Sequence, residues 1–302
     1  MIPIPTIIQT NPLKENNKMS EIIRDTLLTN GNRKYQDINE LLREIPTPPW
    51  RAYDSSCETT TEDKECTKEE DLGQLDDDQK DQNVKISYVP TSNELEVVRA
   101  AIYLRRPLLV TGKPGLGKSA LAKDIAKALD LGDFLHWQIT SETTLKDALY
   151  SYDAIGRLQD IQIKDKGDRE DKKETSTKIE DFLKLQALGT AFASKCKPKV
   201  LLIDELDKSD ADLPNSLLHI FEEGYFEIPE LKRLKQSTTK QIETLDGNRV
   251  EITNGKVTCR YFPIVIMTSN CDRDFPPAFK RRCLHIELHK PDKGELIKII
   301  KS

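Results

Sequence analysis

The run GKPGLGKS, from Gly112 to Ser119, places glycine, lysine and serine at every fixed position of GxxxxGK[ST]. Gly112, Gly115 and Gly117 let the backbone bend until successive N–H groups surround a phosphate. Lys113, Pro114 and Leu116 fill the loop between them. The start of the helix that follows adds partial positive charge at the same place. Lys118 then has the reach for the β- and γ-phosphates, and the Ser119 hydroxyl suits a Mg²⁺ coordination position. The chemistry this spacing fits is binding of ATP with Mg²⁺.

A second group decides what happens to the triphosphate. The apolar run Val200 to Ile203 ends in Asp204-Glu205. A carboxylate at that strand end can hold the metal, which is the expectation for Asp204. The adjacent Glu205 faces the γ-phosphate and suits a base that orients water. A kinase does not need that second acid, whereas a hydrolase does. A third strand, IVIMT, ends in Ser269-Asn270, where an amide can bond both the attacking water and the γ-phosphate. Finally, Arg281 and Arg282 close the run PPAFKRRC. Adjacent arginines after a helix are commonly surface charges, but their spacing from Asn270 suits an arginine offered to a neighbouring subunit's site.

Elements must carry these residues. Thr91 and Glu94 have capping-box spacing, and Leu95, Val98 and Ile102 follow on one helical face before Pro107. Leu108, Leu109 and Val110 form a short buried strand. Leu121, Ile125 and Ala128 give the next helix its inner face, and Gly132 ends it. Strands near 134–140, 200–203 and 264–268 alternate with helical stretches, including one from Leu213 to Glu223. Alternation with apolar strands predicts an α/β fold with a parallel sheet covered on both faces. Two interruptions stand out. Residues 164–178 carry mixed charge without an apolar side chain and predict an exposed loop. Residues 231–261 hold the turn signals Asp246-Gly247 and Asn254-Gly255, which predict a β-hairpin extension of the sheet.

Charge separates the rest of the 302 residues. Between Asp54 and Asp81 twelve acids face three bases, a net of −9, so the remaining chain is +4 although the whole is −5. That stretch is almost without aliphatic residues and is expected to be a disordered linker or an acidic docking segment. The expected organisation is a short helical or irregular region at 1–53, the linker at 54–83, a nucleotide-binding domain at 84–290 and a remainder at 291–302. Within the first region, 21–28 and 38–42 have helical patterns. No apolar run approaches the ~18 residues a membrane span requires. The N-terminus lacks a basic segment followed by an apolar core, and the six cysteines contain no CxxC pair. A cytoplasmic chain with reduced thiols is the expectation.

The stretches GKPGLGKSALAKDIAKAL, QITSETTLKDALYSYDAIGRL, VLLIDELDKSDADLPNSLL, FEIPE and FPIVIMTSN-CDRDFPPAFKRRC resemble an AAA+ ATPase. More narrowly they resemble the MoxR-like group of the helix-2-insert clade, over about Ile86 to Ile297. The resemblance implies a P-loop NTPase sheet with a helix-2 insert and a pre-sensor-1 hairpin. It implies that Arg282 is the finger, with Arg281 as the alternative, and that Tyr88 and Val89 lie where adenine packs. The segment Tyr150 to Ile163 would be the insert that faces a central pore. It further implies self-assembly into a hexameric ring and a protein client, such as a von Willebrand factor A-domain protein; neither a membrane nor nucleic acid is expected as a partner. The family pattern calls for a lid of several helices after His289, so the lid is expected to be truncated or absent. Two other readings stay open: a nucleotide-gated switch that recruits an effector, and an AAA+ GTPase of a DNA restriction motor.

Overall fold

The computed structural model describes residues 21–30, 33–45, 47–51, 90–132, 134–166, 178–234 and 239–290. The expected linker, Tyr88, Val89 and the segment 291–302 therefore lie outside the described residues.

Five parallel strands form the central sheet: β1 (Leu108–Gly112), β2 (Leu135–Gln138), β3 (Val200–Asp204), β4 (Ile264–Ser269) and β5 (Leu284–Leu288). Their order across the sheet is β5-β1-β4-β3-β2. The strands read as apolar runs because both faces are buried, and alternate residues serve different cores. Leu108, Val110, Val200, Leu202, Ile264 and Ile266 join one apolar cluster. Leu109, Leu201, Ile203, Val265 and Met267 join the other.

The first face is covered by α1 (Ser92–Leu104) and α2 (Lys118–Ala128). The expected capping box is present, with Thr91 and Glu94 exchanging side-chain-to-backbone bonds. Leu95, Val98 and Ile102 are buried on α1, as are Leu121, Ile125 and Ala128 on α2. The helix α1 stops at Leu104, with Arg105 at φ 49° closing it before Pro107 is reached. The same cluster takes in Ile23, Leu27 and Leu28 from a helix over residues 21–27, and Ile38 and Leu41 from the helix Ile38–Glu44. Just beyond, Arg51 is buried, donates from Nε to the Arg105 carbonyl at 2.8 Å and lies 3.8 Å from the Phe262 ring centroid.

The second face is covered by α4 (Ala187–Ala193), α5 (Leu213–Glu223) and a six-stranded sheet. Here the structure corrects an expectation. Both predicted turns exist, with Asn254 and Gly255 at φ 55° and 67° in the tighter one. Yet the strands they join, Thr239–Glu243, Arg249–Thr253 and Lys256–Thr258, do not extend the parallel sheet. They pair instead with Tyr225–Glu227 on one side and, through Leu183–Leu185, with Tyr150–Tyr152 on the other. The physical reason is that short strands carry no address for their partners; non-local pairing selects them.

The pairing of Tyr150–Tyr152 with Leu183–Leu185 closes an excursion of the chain that contains α3 (Ala154–Lys166). That helix takes in three residues of the expected loop, 164–166, ending at Lys166; residues 167–177 lie outside the described set. Its Ile155 and Leu158 are exposed, at 70% and 58%. α6 (Pro277–Arg282) leads into β5. Cys259, Cys271 and Cys283 are free thiols.

Candidate active site

The strand register places the chemistry at one end of the sheet. Thr111 on β1 is level with Ser269 on β4, and Asp204 on β3 is level with Gln138 on β2. In an open parallel sheet, ligands bind outside the carboxyl ends of the strands. Gly112, at the end of β1, has φ 149°, and a Cβ there would meet the Leu288 carbonyl oxygen at 2.8 Å. Gly115 and Gly117 have φ 81° and 88°. The loop can turn back over the start of α2 because these positions are glycine.

Lys118 is buried, and its ammonium uses all three of its donors. They go to the carbonyls of Gly112 at 2.8 Å and Lys113 at 3.1 Å, and to Asn270 Oδ1 at 2.7 Å. Burial of this cation is tolerable because each donor is satisfied. Ser119 Oγ donates to the Asp204 carboxylate, 3.2 Å from Oδ1 and 3.0 Å from Oδ2. Asp204 also accepts a short hydrogen bond from the fully buried Thr268 hydroxyl. His136 Nε2 stands 3.6 Å from its other oxygen. Two hydrogen-bonded pairs, Lys118 with Asn270 and Ser119 with Asp204, thus stand side by side, each reaching from the start of α2 to a strand end far away in sequence.

Glu205 adopts φ 60° and ψ 45°. This left-handed backbone is uncommon for a residue with a side chain and concentrates at functional sites. Its N–H donates to Thr268 Oγ1 at 2.9 Å. Its carboxylate is held from two sides: Gln138 Nε2 and Lys208 Nζ each donate to Oε2 at 2.6 Å. The hydrogen bond to Glu205 is the largest of the influences that raise the Lys208 pKa.

Arg281 and Arg282 stand apart from these residues. Both are exposed at the end of α6, and Arg282 Nε pairs with Glu222 Oε1 at 2.5 Å. Lys113, Pro114 and Gly115 are exposed, while Leu116 and Gly117 are half-buried. Sequence reasoning missed Gln138, Thr268, Asp207 and Lys208. Gln138 ends its strand, but that it is level with Asp204 shows only in the register of the sheet. Asp207 and Lys208 were legible only as part of a charged turn.

The donor set fits Mg²⁺. This cation keeps several waters and needs one or two protein oxygens beside phosphate. Asp204 and Ser119, already within 3.2 Å of each other, are such a pair. Among the described residues no three His, Cys, Asp or Glu side chains cluster for an all-protein metal site. No helix of the described residues is long and apolar enough to cross a membrane.

Residues 107–283, more than half of the chain, match the family model of an AAA domain of the dynein-related subfamily. No curated protein matches the chain.

Proposed function

The chain belongs to the AAA family, dynein-related subfamily, and from that premise we propose that it hydrolyses ATP with Mg²⁺ as a ring-forming, MoxR-like ATPase that remodels or activates a partner protein. The observation that carries the catalytic part is the pair of contacts from the start of α2 to the ends of β4 and β3, Lys118 to Asn270 and Ser119 to Asp204.

The loop amides from Gly112 to Ser119 bind the phosphates, and Lys118 compensates their charge. Asp204 and Ser119 would hold Mg²⁺, whose positive charge would offset charge on the phosphoryl oxygens. Glu205 orients the attacking water and accepts its proton once its carboxylate turns from Lys208 and Gln138. Asn270 orients the same water from the other side and, through its amide, meets the γ-phosphate. Arg282, or Arg281 beside it, completes the neighbouring subunit's site, so hydrolysis depends on assembly. Tyr88 and Val89 line the adenine. A von Willebrand factor A-domain protein is the proposed type of client, and α3 is the proposed insert facing the pore.

Steady-state ATP hydrolysis measured against protein concentration tests this reading, with Glu205→Gln as the control. The specific activity should rise with concentration and fall by about 100-fold or more in Glu205→Gln. Activity that survives the substitution, or that never rises with concentration, overturns it. A second reading, a slow nucleotide-gated switch, is favoured by the Lys208 and Gln138 bonds that occupy Glu205. Tight ATP binding with very slow single-turnover hydrolysis would select it.

A further inference from the structure

We infer that Asp207 is a positioning residue for Asn270: its buried carboxylate clamps the backbone of the loop that carries the amide. The inference rests on the reading above, in which Asn270 orients water.

Asp207 lies in the turn after β3, on the short 3-10 helix Leu206–Lys208, and is only 6% exposed. Its Oδ2 accepts two backbone N–H groups of the loop after β4, from Asn270 at 3.0 Å and from Asp272 at 3.2 Å. Oδ1 is buried and has no hydrogen-bond partner among the described residues. A buried carboxylate with one oxygen left over is costly, and here the cost is offset only through Oδ2. Every described bond it makes is directed at that loop.

The loop needs such a clamp. Between Asn270 and Asp272, Cys271 adopts φ 66°, a left-handed conformation that a thiol side chain does not favour. The parallel pairing of β4 with β3 ends at Met267↔Ile203, three residues before Asn270. Beyond that point the ladder is continued by side chains: Thr268 Oγ1 accepts from the Glu205 N–H, Asp207 takes the N–H groups of Asn270 and Asp272, and Arg273 Nη1 donates to the Ser209 carbonyl at 2.8 Å. Of these links Asp207 is the one attached to Asn270 itself. The amide is thereby presented to Lys118 Nζ at 2.7 Å. Catalytic groups must be held to within fractions of an ångström, and a displacement of about 1 Å can cost on the order of 100-fold.

The test uses the full chain and four variants: Asp207→Ala, Asp207→Asn, Asp207→Glu and Asn270→Ala, with the double variant Asp207→Ala/Asn270→Ala. Asp207→Ala should lower kcat by about 10- to 100-fold with KM within about 2-fold, because the loss is of orientation and not of ATP binding. Asp207→Asn keeps an oxygen acceptor in place and should stay within about 3-fold of wild type. Asp207→Glu keeps the charge but displaces the oxygen, and should behave like alanine. In the Asn270→Ala background the further change Asp207→Ala should add less than about 2-fold. Without any nucleotide, hydrogen exchange at the Asn270 and Asp272 amides should accelerate in Asp207→Ala while the interior of β4 stays protected.

An unchanged kcat in Asp207→Ala, a full additive loss in the double variant, or unchanged exchange at those two amides overturns the inference. If Asp207→Ala does not fold, the Asn and Glu variants decide: equal rates in the two overturn it, and a Glu-specific loss supports it. If Asn270→Ala hydrolyses ATP at the wild-type rate, the reading of Asn270 fails first. If Asn270→Ala is impaired and Asp207→Ala is not, this inference alone fails.

Discussion

Glu205 is held in a left-handed conformation by the Thr268 hydroxyl behind its N–H and by Lys208 and Gln138 in front of its carboxylate. The strain is sustained because neighbours on β2, β4 and the following turn over-determine it. At this scale the thiols differ in a way that can be measured. Desolvation by burial pushes the Cys259 and Cys283 thiols up to about 12, with nearby arginines opposing it only in part. Cys271 is exposed on the loop after β4. Thiolates are the reacting species, so an alkylating reagent at pH 8 should modify Cys271 in the folded chain and leave Cys259 and Cys283 unmodified until denaturant is added. Peptide mapping of these three positions checks it. The phosphate loop, Asp204 and Asn270 were legible in the sequence because their chemistry is local: a fixed spacing, or the last polar residue of an apolar strand. Gln138 and Asp207 were not, because what qualifies them is a neighbour 67 and 63 positions away.

At the scale of elements, α4 carries a glycine against the backbone of Leu149. A Cβ added at Gly189 would lie 1.9 Å from the Leu149 carbonyl oxygen, the same atom that accepts the Gln186 N–H at 3.0 Å. Backbone, not a flexible side-chain end, would have to move. Gly189→Ala should therefore destabilise the chain by about 3 kcal/mol, the upper part of the usual range for overpacking, despite alanine's better helix propensity. Chemical denaturation of the two proteins measures it. The helices α1, α2 and α5 were legible because one amphipathic pattern spans each of them; α5 runs from Leu213 to Glu223 and ends on Gly224 at φ 68°. The second sheet was legible only as turns. Three-residue strands such as Tyr225–Glu227 and Lys256–Thr258 are too short for a period to show, and their partners are set by topology.

For the whole molecule, the N-terminal helices share a core with α1 and α2, and Trp50-Arg51 fastens them at the far side. Trp50 Nε1 donates to the Leu104 carbonyl at 3.2 Å, and Arg51 bonds the carbonyls of Arg105 and Phe221. Arg51→Ala would strand those carbonyls and remove the contact with Phe262, at a cost of about 2–4 kcal/mol. A calorimetric scan should show one transition at lower temperature; a separate early transition for residues 21–51 would contradict the shared core. Nothing in the sequence pointed to this union, since the partners of the apolar residues of 21–45 begin some fifty positions later. The excursion closed by Tyr150↔Leu185, Ser151↔Lys184 and Tyr152↔Leu183 has a different bearing. Its two ends are pinned side by side by this ladder, with Ile179 buried in the core and Glu180 paired with Lys240 just before the second strand, and doubling the length of a flexible loop costs only about 0.6 kcal/mol. The excursion is therefore a cassette: α3, with Ile155 and Leu158 on its surface, can be exchanged, lengthened or grafted while the strands that mount it stay as they are.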